Sequence, residues 1–151
     1  MSEENQRADI WNLLHDGEIT AIGGTVPGYV RITVNIAYLR RRFSPEGDSF
    51  VITLRNCTIL QLKPYNEPVE TDFQKIVSSK VEFLSTESSD CPIKLATTVG
   101  ELEIDFQTFE LSLDTGAIIS YDQLDEASRN YWDAFASRSI KVRAEKNLPS
   151  A

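Results

Sequence analysis

Histidine and cysteine are scarce in this sequence, and their scarcity limits the chemistry available to it. The chain of 151 residues holds a single histidine, His15, and two cysteines, Cys57 and Cys91. These three side chains fall short of the usual ligand set of a structural zinc site. Two cysteines also make no disulfide framework, and we expect both to be free thiols. The sequence therefore predicts neither a metal nor a cofactor.

Long apolar runs are also missing. No stretch approaches the roughly 20 residues needed to cross a bilayer. The opening MSEENQRADIWNLL has no basic segment leading into an apolar run, so we expect no signal peptide and a cytoplasmic protein. The composition is 41% hydrophobic and 25% charged, which is ordinary for a globular protein. We expect one domain over residues 1–151, with residues 1–5 and 141–151 flexible.

Basic residues are outnumbered, and their distribution is uneven. The chain has 15 Lys and Arg against 23 Asp and Glu, for a net charge of −8. Residues 1–63 are balanced, residues 64–137 hold 4 basic and 15 acidic side chains, and residues 138–151 hold 4 basic and 1 acidic. Such acidity disfavours nucleic acid and anionic membranes as partners. The acidic segment has two interpretations: it attracts a basic protein partner, or its charge only keeps the protein soluble.

Alternation of apolar and polar residues is the strongest structural signal that is present. Residues 30–38, 101–106 and 109–113 place apolar side chains at every second position. A period of two is typical of strands in an antiparallel sheet with one buried face. After Leu54 the apolar positions change from even to odd numbers, which predicts a bulge or bend near Asn56.

Helical spacing occurs near the two ends of the chain. Residues 6–15 predict a short helix, and a second helix is predicted from Asp122, as its cap, to about Arg138. Seven or eight strands lie between them, one over residues 76–84 with a loop over residues 85–90. The predicted class is α+β, with a mainly antiparallel, curved or partly closed β-sheet and both helices packed at its sides.

Acidic residues at alternate positions mark one candidate binding surface. Glu101, Glu103 and Asp105 share a strand face, and their spacing of roughly 7 Å is wide for chelating one cation. The stripe is either a solvated strand face or, together with Glu110, a surface for a basic partner. Trp132 on the second helix is either an anchor of the same interface or a core residue.

His15 is the only imidazole, so any catalytic device that needs histidine must use it. The sequence lacks a Gly-x-Ser-x-Gly nucleophile elbow, and His15 at a helix end is suited to cap carbonyl groups. We expect no catalytic residue. As an alternative, Arg40 and Arg42 would join His15 in a ligand cavity under the curved sheet. The presence of these arginines is equally explained if they protect a strand edge and pair with acidic side chains in the second half of the chain.

Residues 10–62 resemble a pattern found in small bacterial β-rich proteins. The resemblance lies in Leu13-Leu14-His15-Asp16-Gly17-Glu18-Ile19, in Tyr38-Leu39, and in Leu54-Arg55-Asn56-Cys57 followed by Leu60. Some of these proteins are assigned as immunity proteins of bacterial polymorphic toxin systems, which bind and block a cognate toxin. The resemblance implies no catalytic role for the His-Asp pair, which we interpret as a lock at the junction of helix and strand.

Three functions fit these observations. The first is a non-catalytic protein-binding domain, such as an immunity protein that covers a basic toxin with an acidic face. The second is a small-molecule-binding or enzymatic domain with a cavity under the sheet. The third is a subunit that forms a homo-oligomer through a strand edge.

Overall fold

Nine strands and four helices make up the part of the chain that the computed structural model describes, namely the backbone of residues 3–146 and the side chains of residues 6–136. The helices are α1 (Glu3–Leu13), α2 (Ala37–Arg40), α3 (Phe73–Ser78) and α4 (Tyr121–Lys146). The strands are β1 (Glu18–Gly24), β2 (Gly28–Asn35), β3 (Ser49–Cys57), β4 (Ile59–Pro64), β5 (Phe83–Ser88), β6 (Ile93–Thr97), β7 (Gly100–Asp105), β8 (Thr108–Leu113) and β9 (Ile118–Ile119). The predicted α+β class with antiparallel sheet is confirmed.

The strands form two antiparallel sheets that are joined by two long bent segments. Sheet A has the order β1-β2-β3-β8-β9, and sheet B has the order β4-β7-β6-β5. Because β3 leads directly into β4 and β7 directly into β8, one continuous antiparallel ladder crosses both sheets. It runs from the pair Phe50–Leu113 in sheet A to the pair Pro64–Gly100 in sheet B.

The bend lies at Asn56, where the sequence predicts it. Between the pair Arg55–Thr108 and the pair Ile59–Asp105, the β3–β4 segment holds one more residue than its partner. Asn56 has a φ of 52°, a left-handed conformation that asparagine tolerates better than most residues. An extra residue on one strand bends the ladder and reverses which side chains face the core.

The two sheets also meet at their outer strands. The Ile19 amide of β1 donates to the Val81 carbonyl at 2.9 Å, and the Phe83 amide of β5 donates to the Gly17 carbonyl at 3.0 Å. These bonds connect the edge of sheet A to the start of the last strand of sheet B. The result is partly curled, as the sequence predicts, but it consists of two sheets and not of the single sheet that the sequence suggests.

One apolar core lies between the sheets and the helices that cover them. Trp11 of α1 is buried there, edge-on to Phe83 at 5.5 Å and to Phe106 at 6.3 Å between ring centroids. Helix α1 also protects the edge of β5, because the Thr86 amide donates to the Asn12 side chain at 2.9 Å. A covered edge of this kind does not template unwanted pairing.

The segment after β4 corrects two predictions. The strand predicted over residues 76–84 is mostly α3 and a short connection, and the loop predicted over residues 85–90 is largely β5. The Asp72 carboxylate accepts hydrogen bonds from the amides of Gln74 at 2.9 Å and Lys75 at 3.2 Å. This cap stabilises the start of a helix and outweighs the β propensity of one short apolar run.

Two further predictions are corrected where helices begin. Strand β2 ends at Asn35, so Tyr38 lies in α2 and not in a strand. The cap of α4 is Ser120 and not Asp122, since Ser120 Oγ accepts from the Gln123 amide at 3.1 Å and Gln123 Oε1 accepts from the Ser120 amide at 2.8 Å. This reciprocal pair is a capping box, and Asp122 lies in the first turn, where the helix dipole favours an acid.

Helix α4 is longer than the sequence suggests, continuing past Arg138 to Lys146. The expected flexibility of residues 1–5 and 141–151 concerns, in part, residues outside the described ones, and it stays a prediction. Within residues 3–146, no helix combines the length and the apolar character needed to cross a bilayer.

Candidate functional site

Aromatic rings gather at the surface where the end of α1, α2 and α4 meet. The His15 imidazole stacks on the Trp132 indole, with ring centroids 5.3 Å apart and planes inclined by 21°. Tyr38 lies 4.4 Å from Tyr131 and 6.0 Å from Trp132 between centroids. Phe135 lies 5.7 Å from Trp132 and is 50% exposed. We refer to these five residues as the aromatic cluster.

The helical repeat of α4 produces this cluster. Leu124 and Ala127 are buried and attach the helix to the core. Tyr131 and Phe135 continue the same stripe at helical spacing, but the core ends before them. Their rings, with that of Trp132, are consequently only partly covered and pack on one another.

Tyr38 connects α2 to the end of α1. Its hydroxyl donates to the His15 carbonyl at 3.2 Å. Burial, together with smaller contributions from the nearby Asp16 and Tyr131, raises the pKa of Tyr38 to about 12. The hydroxyl is therefore protonated at neutral pH and remains a donor, which ties the chain at His15 to α2.

The His15 ring is held by groups near it in sequence. Its Nδ1 lies 2.8 Å from the Asn12 carbonyl oxygen, so Nδ1 carries the proton and donates. Its Nε2 lies 3.8 Å from the Asp16 carboxylate. A histidine that satisfies a carbonyl at the end of a helix and stacks on an indole has a structural role.

Arg42 borders the aromatic cluster. Its guanidinium carbon lies 5.7 Å from the centroid of the Tyr131 ring, a cation–π arrangement. The structure thus places His15, Arg42 and Trp132 in one assembly, although the sequence assigns them to two separate hypothetical sites. Trp132 is the one member that the sequence predicts as an interface anchor. The α4 stripe, which runs past the last buried residue, was the available signal for Tyr131 and Phe135.

Arg40 does not belong to this assembly. Its side chain is fully buried, and its Nε donates to Asp114 Oδ1 at 2.9 Å. Its Nη1 donates to the carbonyls of Pro45 at 2.7 Å and Phe43 at 3.3 Å. Its Nη2 lies 2.8 Å from Asp114 Oδ1, an ion-pair contact whose angle does not make a hydrogen bond. Arg40 therefore holds the loop before β3, and it shares no accessible cavity with His15 as the ligand-binding alternative requires.

Glu103, a member of the expected acidic stripe, is buried and paired within sheet B. It is 5% exposed, its Oε1 lies 2.5 Å from Lys63 Nζ, and its Oε2 accepts from Gln61 Nε2 at 2.9 Å. The hydrogen bond from Lys63 lowers the pKa of Glu103. Because both partners lie on β4, the neighbouring strand, Glu103 is neutralised within the sheet and does not present its charge to a partner.

The other acidic candidates are divided between the two sheets. Glu110 on β8 pairs with Arg55 at 3.0 Å, whereas Glu101 and Asp105 are half-buried on β7. Burial and a hydrogen bond with Glu87 raise the pKa of Glu101. The charged form of Glu101 is disfavoured, and Glu103 and Glu110 are already paired with basic side chains. These acids therefore attract a basic surface only weakly.

A cavity of about 250 Å³ lies between the start of α1, β8 and the start of α4. Its lining includes Arg7, Phe109 and Tyr121. Arg7 Nη1 donates to the Phe106 carbonyl at 3.1 Å, and the Tyr121 hydroxyl bonds to Asp9. These polar groups are engaged with the protein itself and stabilise the junction of α1 and α4.

Within the described residues, no three His, Cys, Asp or Glu side chains are arranged to hold a metal ion. Cys57 is buried and Cys91 is exposed, and no disulfide joins them. Comparison with known proteins finds no matching protein-family model, no matching curated protein and no matching solved structure. The resemblance of residues 10–62 to immunity proteins therefore stays a prediction from the sequence.

Proposed function

We propose that this protein is a non-catalytic protein-binding domain whose contact centre is the aromatic cluster. The observation that carries the proposal is the stack of His15, Tyr38, Tyr131 and Trp132, fixed by its own contacts and ending in the half-exposed Phe135. A few residues carry most of the binding energy at protein interfaces, and tryptophan, tyrosine and arginine are enriched among them. Rings that are already ordered lose little conformational entropy when a partner docks.

The charges near the cluster favour a basic partner. The Asp16 side chain is 61% exposed, and Asp122, Glu126 and Asp133 of α4 are exposed as well. The exposed Arg41 and Arg42 add two positive charges beside α2, and Arg129 of α4 is paired with Asp125 at 3.0 Å. Excess negative charge around an apolar centre speeds the encounter with a positive surface and disfavours acidic competitors.

The sequence resemblance supports a narrower form of this proposal, in which the protein is an immunity protein that occludes a basic toxin. Occlusion requires affinity and position, and no reactive group. His15, which the sequence offers as the sole imidazole, is engaged by Asn12 and Trp132, in keeping with a binding role.

Affinity capture from the cells that encode the protein tests the proposal. The tagged full-length chain is compared with Phe135→Ala, Trp132→Ala and a control, Tyr29→Ala. Tyr29 is 62% exposed and lies at the start of β2, whereas α2 follows the other end of this strand. It is therefore an exposed aromatic residue outside the cluster. We expect one basic protein to be recovered by the wild type and by Tyr29→Ala, and to be lost with both cluster variants.

Equal recovery by all four proteins, or recovery of none, contradicts the proposal. Thermal unfolding of each variant shows whether it is folded, and Phe135→Ala removes a half-exposed ring that the core does not need. The immunity form is tested by co-expression with the captured protein. Growth is expected to be rescued by the wild type and by Tyr29→Ala but not by Phe135→Ala.

A further inference from the structure

The free edge of sheet B at β4 is only partly covered. Strand β4 is hydrogen-bonded to β7 through its odd-numbered residues, so the backbone groups of Leu60 and Leu62 point away from β7. Leu62 uses these groups with Glu70, since the Leu62 amide donates to Glu70 at 2.9 Å and the Glu70 amide donates back at 2.8 Å. The amide and carbonyl of Leu60 face the same side, two residues earlier.

A groove of about 680 Å³ opens beside Leu60. It is bounded by the β1–β2 turn on one side and by the start of α3 on the other, and its lining includes Thr25, Val26, Ile59, Leu60, Gln61 and Phe73. Edge groups of a sheet that face an open groove are a template for one more strand.

The chain itself begins to fill this edge and then leaves it. The antiparallel bridge between Leu62 and Glu70 would bring Asp72 opposite Leu60 if the segment stayed extended. Asp72 instead caps α3 through the amides of Gln74 and Lys75, and the chain turns away. An added strand beside β4 therefore begins with Glu70 opposite Leu62, and the position opposite Leu60 is left open.

We propose that the β4 edge at Leu60 binds an extended, uncharged segment of another protein, which adds to sheet B as a strand. The edge is recessed between Val26 and Phe73, so a slender segment enters it, whereas the sheet edge of a second folded copy does not. Asp72 is the one charged residue of the groove lining, and its carboxylate is committed to the α3 cap.

The side chains of the guest follow from the same geometry. A strand added to an edge gains its affinity from backbone hydrogen bonds and its specificity from alternate side chains. The lining combines valine, isoleucine, leucine and phenylalanine with threonine and glutamine, and it is matched by a guest that alternates β-branched or aromatic residues with small polar ones. This site shares no residue with the aromatic cluster and stands independently of the function proposed above.

Panning a phage-displayed library of random heptapeptides against the full-length chain tests this site. We expect enrichment of uncharged peptides that alternate β-branched or aromatic residues with small polar ones.

Two variants test whether an enriched peptide binds in the groove. Val26→Asp changes a residue of the groove wall that is 37% exposed. The control, Leu84→Asp, changes a residue of β5 at the opposite edge of sheet B that is 49% exposed. Val26→Asp is expected to raise the Kd of an enriched peptide at least about tenfold, because a charge meets an uncharged guest there. Leu84→Asp is expected to leave the Kd unchanged.

A second measurement needs no change in the protein. Backbone N-methyl groups are placed at successive positions of the enriched peptide, one at a time. A methyl group on the one guest amide that donates to the Leu60 carbonyl removes that hydrogen bond and weakens binding, and a methyl group on either neighbouring amide leaves binding intact. Failure to enrich any peptide, equal binding to Val26→Asp and Leu84→Asp, or equal weakening by N-methylation at every position of the peptide overturns the proposal.

Discussion

The Arg40 guanidinium and the Asp114 carboxylate form a buried ion pair that joins α2 to the turn between β8 and β9. Arg40 is fully buried, and Asp114 keeps 27% of its side chain exposed. The second oxygen of Asp114 accepts from the amides of Asp48 at 3.1 Å and Ser49 at 3.3 Å. One carboxylate thus holds together α2, the loop that precedes β3 and the β8–β9 turn.

Removal of this carboxylate is expected to be costly. Asp114→Ala leaves the Arg40 charge buried without its counterion, and we expect the free energy of unfolding in urea to fall by about 3–5 kcal/mol. Glu110→Ala is the matched control, because it breaks the exposed pair with Arg55 and is expected to cost less than about 1 kcal/mol. Similar small losses in both variants would show that the buried pair contributes little.

Asp114 also makes stability depend on pH. Burial raises the pKa of this carboxyl, but the hydrogen bonds from the Asp48 amide and Arg40 outweigh burial and hold the pKa below its usual value. A pKa lowered by folding contributes stability that is complete above the unfolded-state pKa and is lost as the pH falls through the folded-state pKa. The free energy of unfolding should therefore decline from about pH 5 downward, and more gently in Asp114→Asn. Urea unfolding at several pH values measures both slopes, and identical slopes would refute the assignment.

Gly47 lies against the same ion pair. A Cβ at this position would lie 2.3 Å from Asp114 Oδ1 and 2.6 Å from Arg40 Nη2. Because both groups are held by several bonds, we expect Gly47→Ala to destabilise the protein by about 1–3 kcal/mol. Gly23→Ala is the control, since no heavy atom beyond its two chain neighbours lies within 4 Å of its added Cβ. Equal thermal midpoints for the two variants would mean that the loop moves aside freely.

The capping box of α4 gives a prediction about the helix that carries the aromatic cluster. Ser120→Ala removes the oxygen that accepts from the Gln123 amide and should cost about 1 kcal/mol in the free energy of unfolding. Ser120→Thr keeps a hydroxyl and should retain most of that stability. If threonine proves as harmful as alanine in urea unfolding, the hydroxyl is not the source of the effect.

The predictable part of the fold is the part in which local pattern and burial agree. Apolar and polar residues alternate along β2, β7 and β8 because one face of each meets the core, and the phase change at Asn56 marks the bend. Glu103 of β7 is buried although it lies on the other face. The polar strand β5 has no such signal. Its Thr86 is satisfied by Asn12 and Ala8 of α1, partners distant in sequence that no local pattern reveals.

The candidate site was predictable only in pieces. Trp132 is suggested by its place beside the apolar stripe of α4. For Tyr38, the alternation of apolar residues predicts a strand position, but β2 ends at Asn35 and Tyr38 reaches the aromatic cluster from α2. The ion pair of Arg40 with Asp114 joins residues 74 positions apart, so the sequence offers Arg40 as a ligand-binding residue while the fold makes it structural. Pairings of this kind depend on how the sheets curl and not on composition.

Trp132 lies at the centre of the proposed binding surface, in contact with the rings of four other residues. Calorimetric titration of the captured basic partner with wild type, Trp132→Ala and Tyr29→Ala measures its contribution directly. We predict that Trp132→Ala raises the Kd at least about 30-fold, the 2 kcal/mol expected of an interface hot spot, and that Tyr29→Ala leaves it within about twofold. A folded Trp132→Ala variant that binds the partner as tightly as the wild type would contradict a binding role for the aromatic cluster.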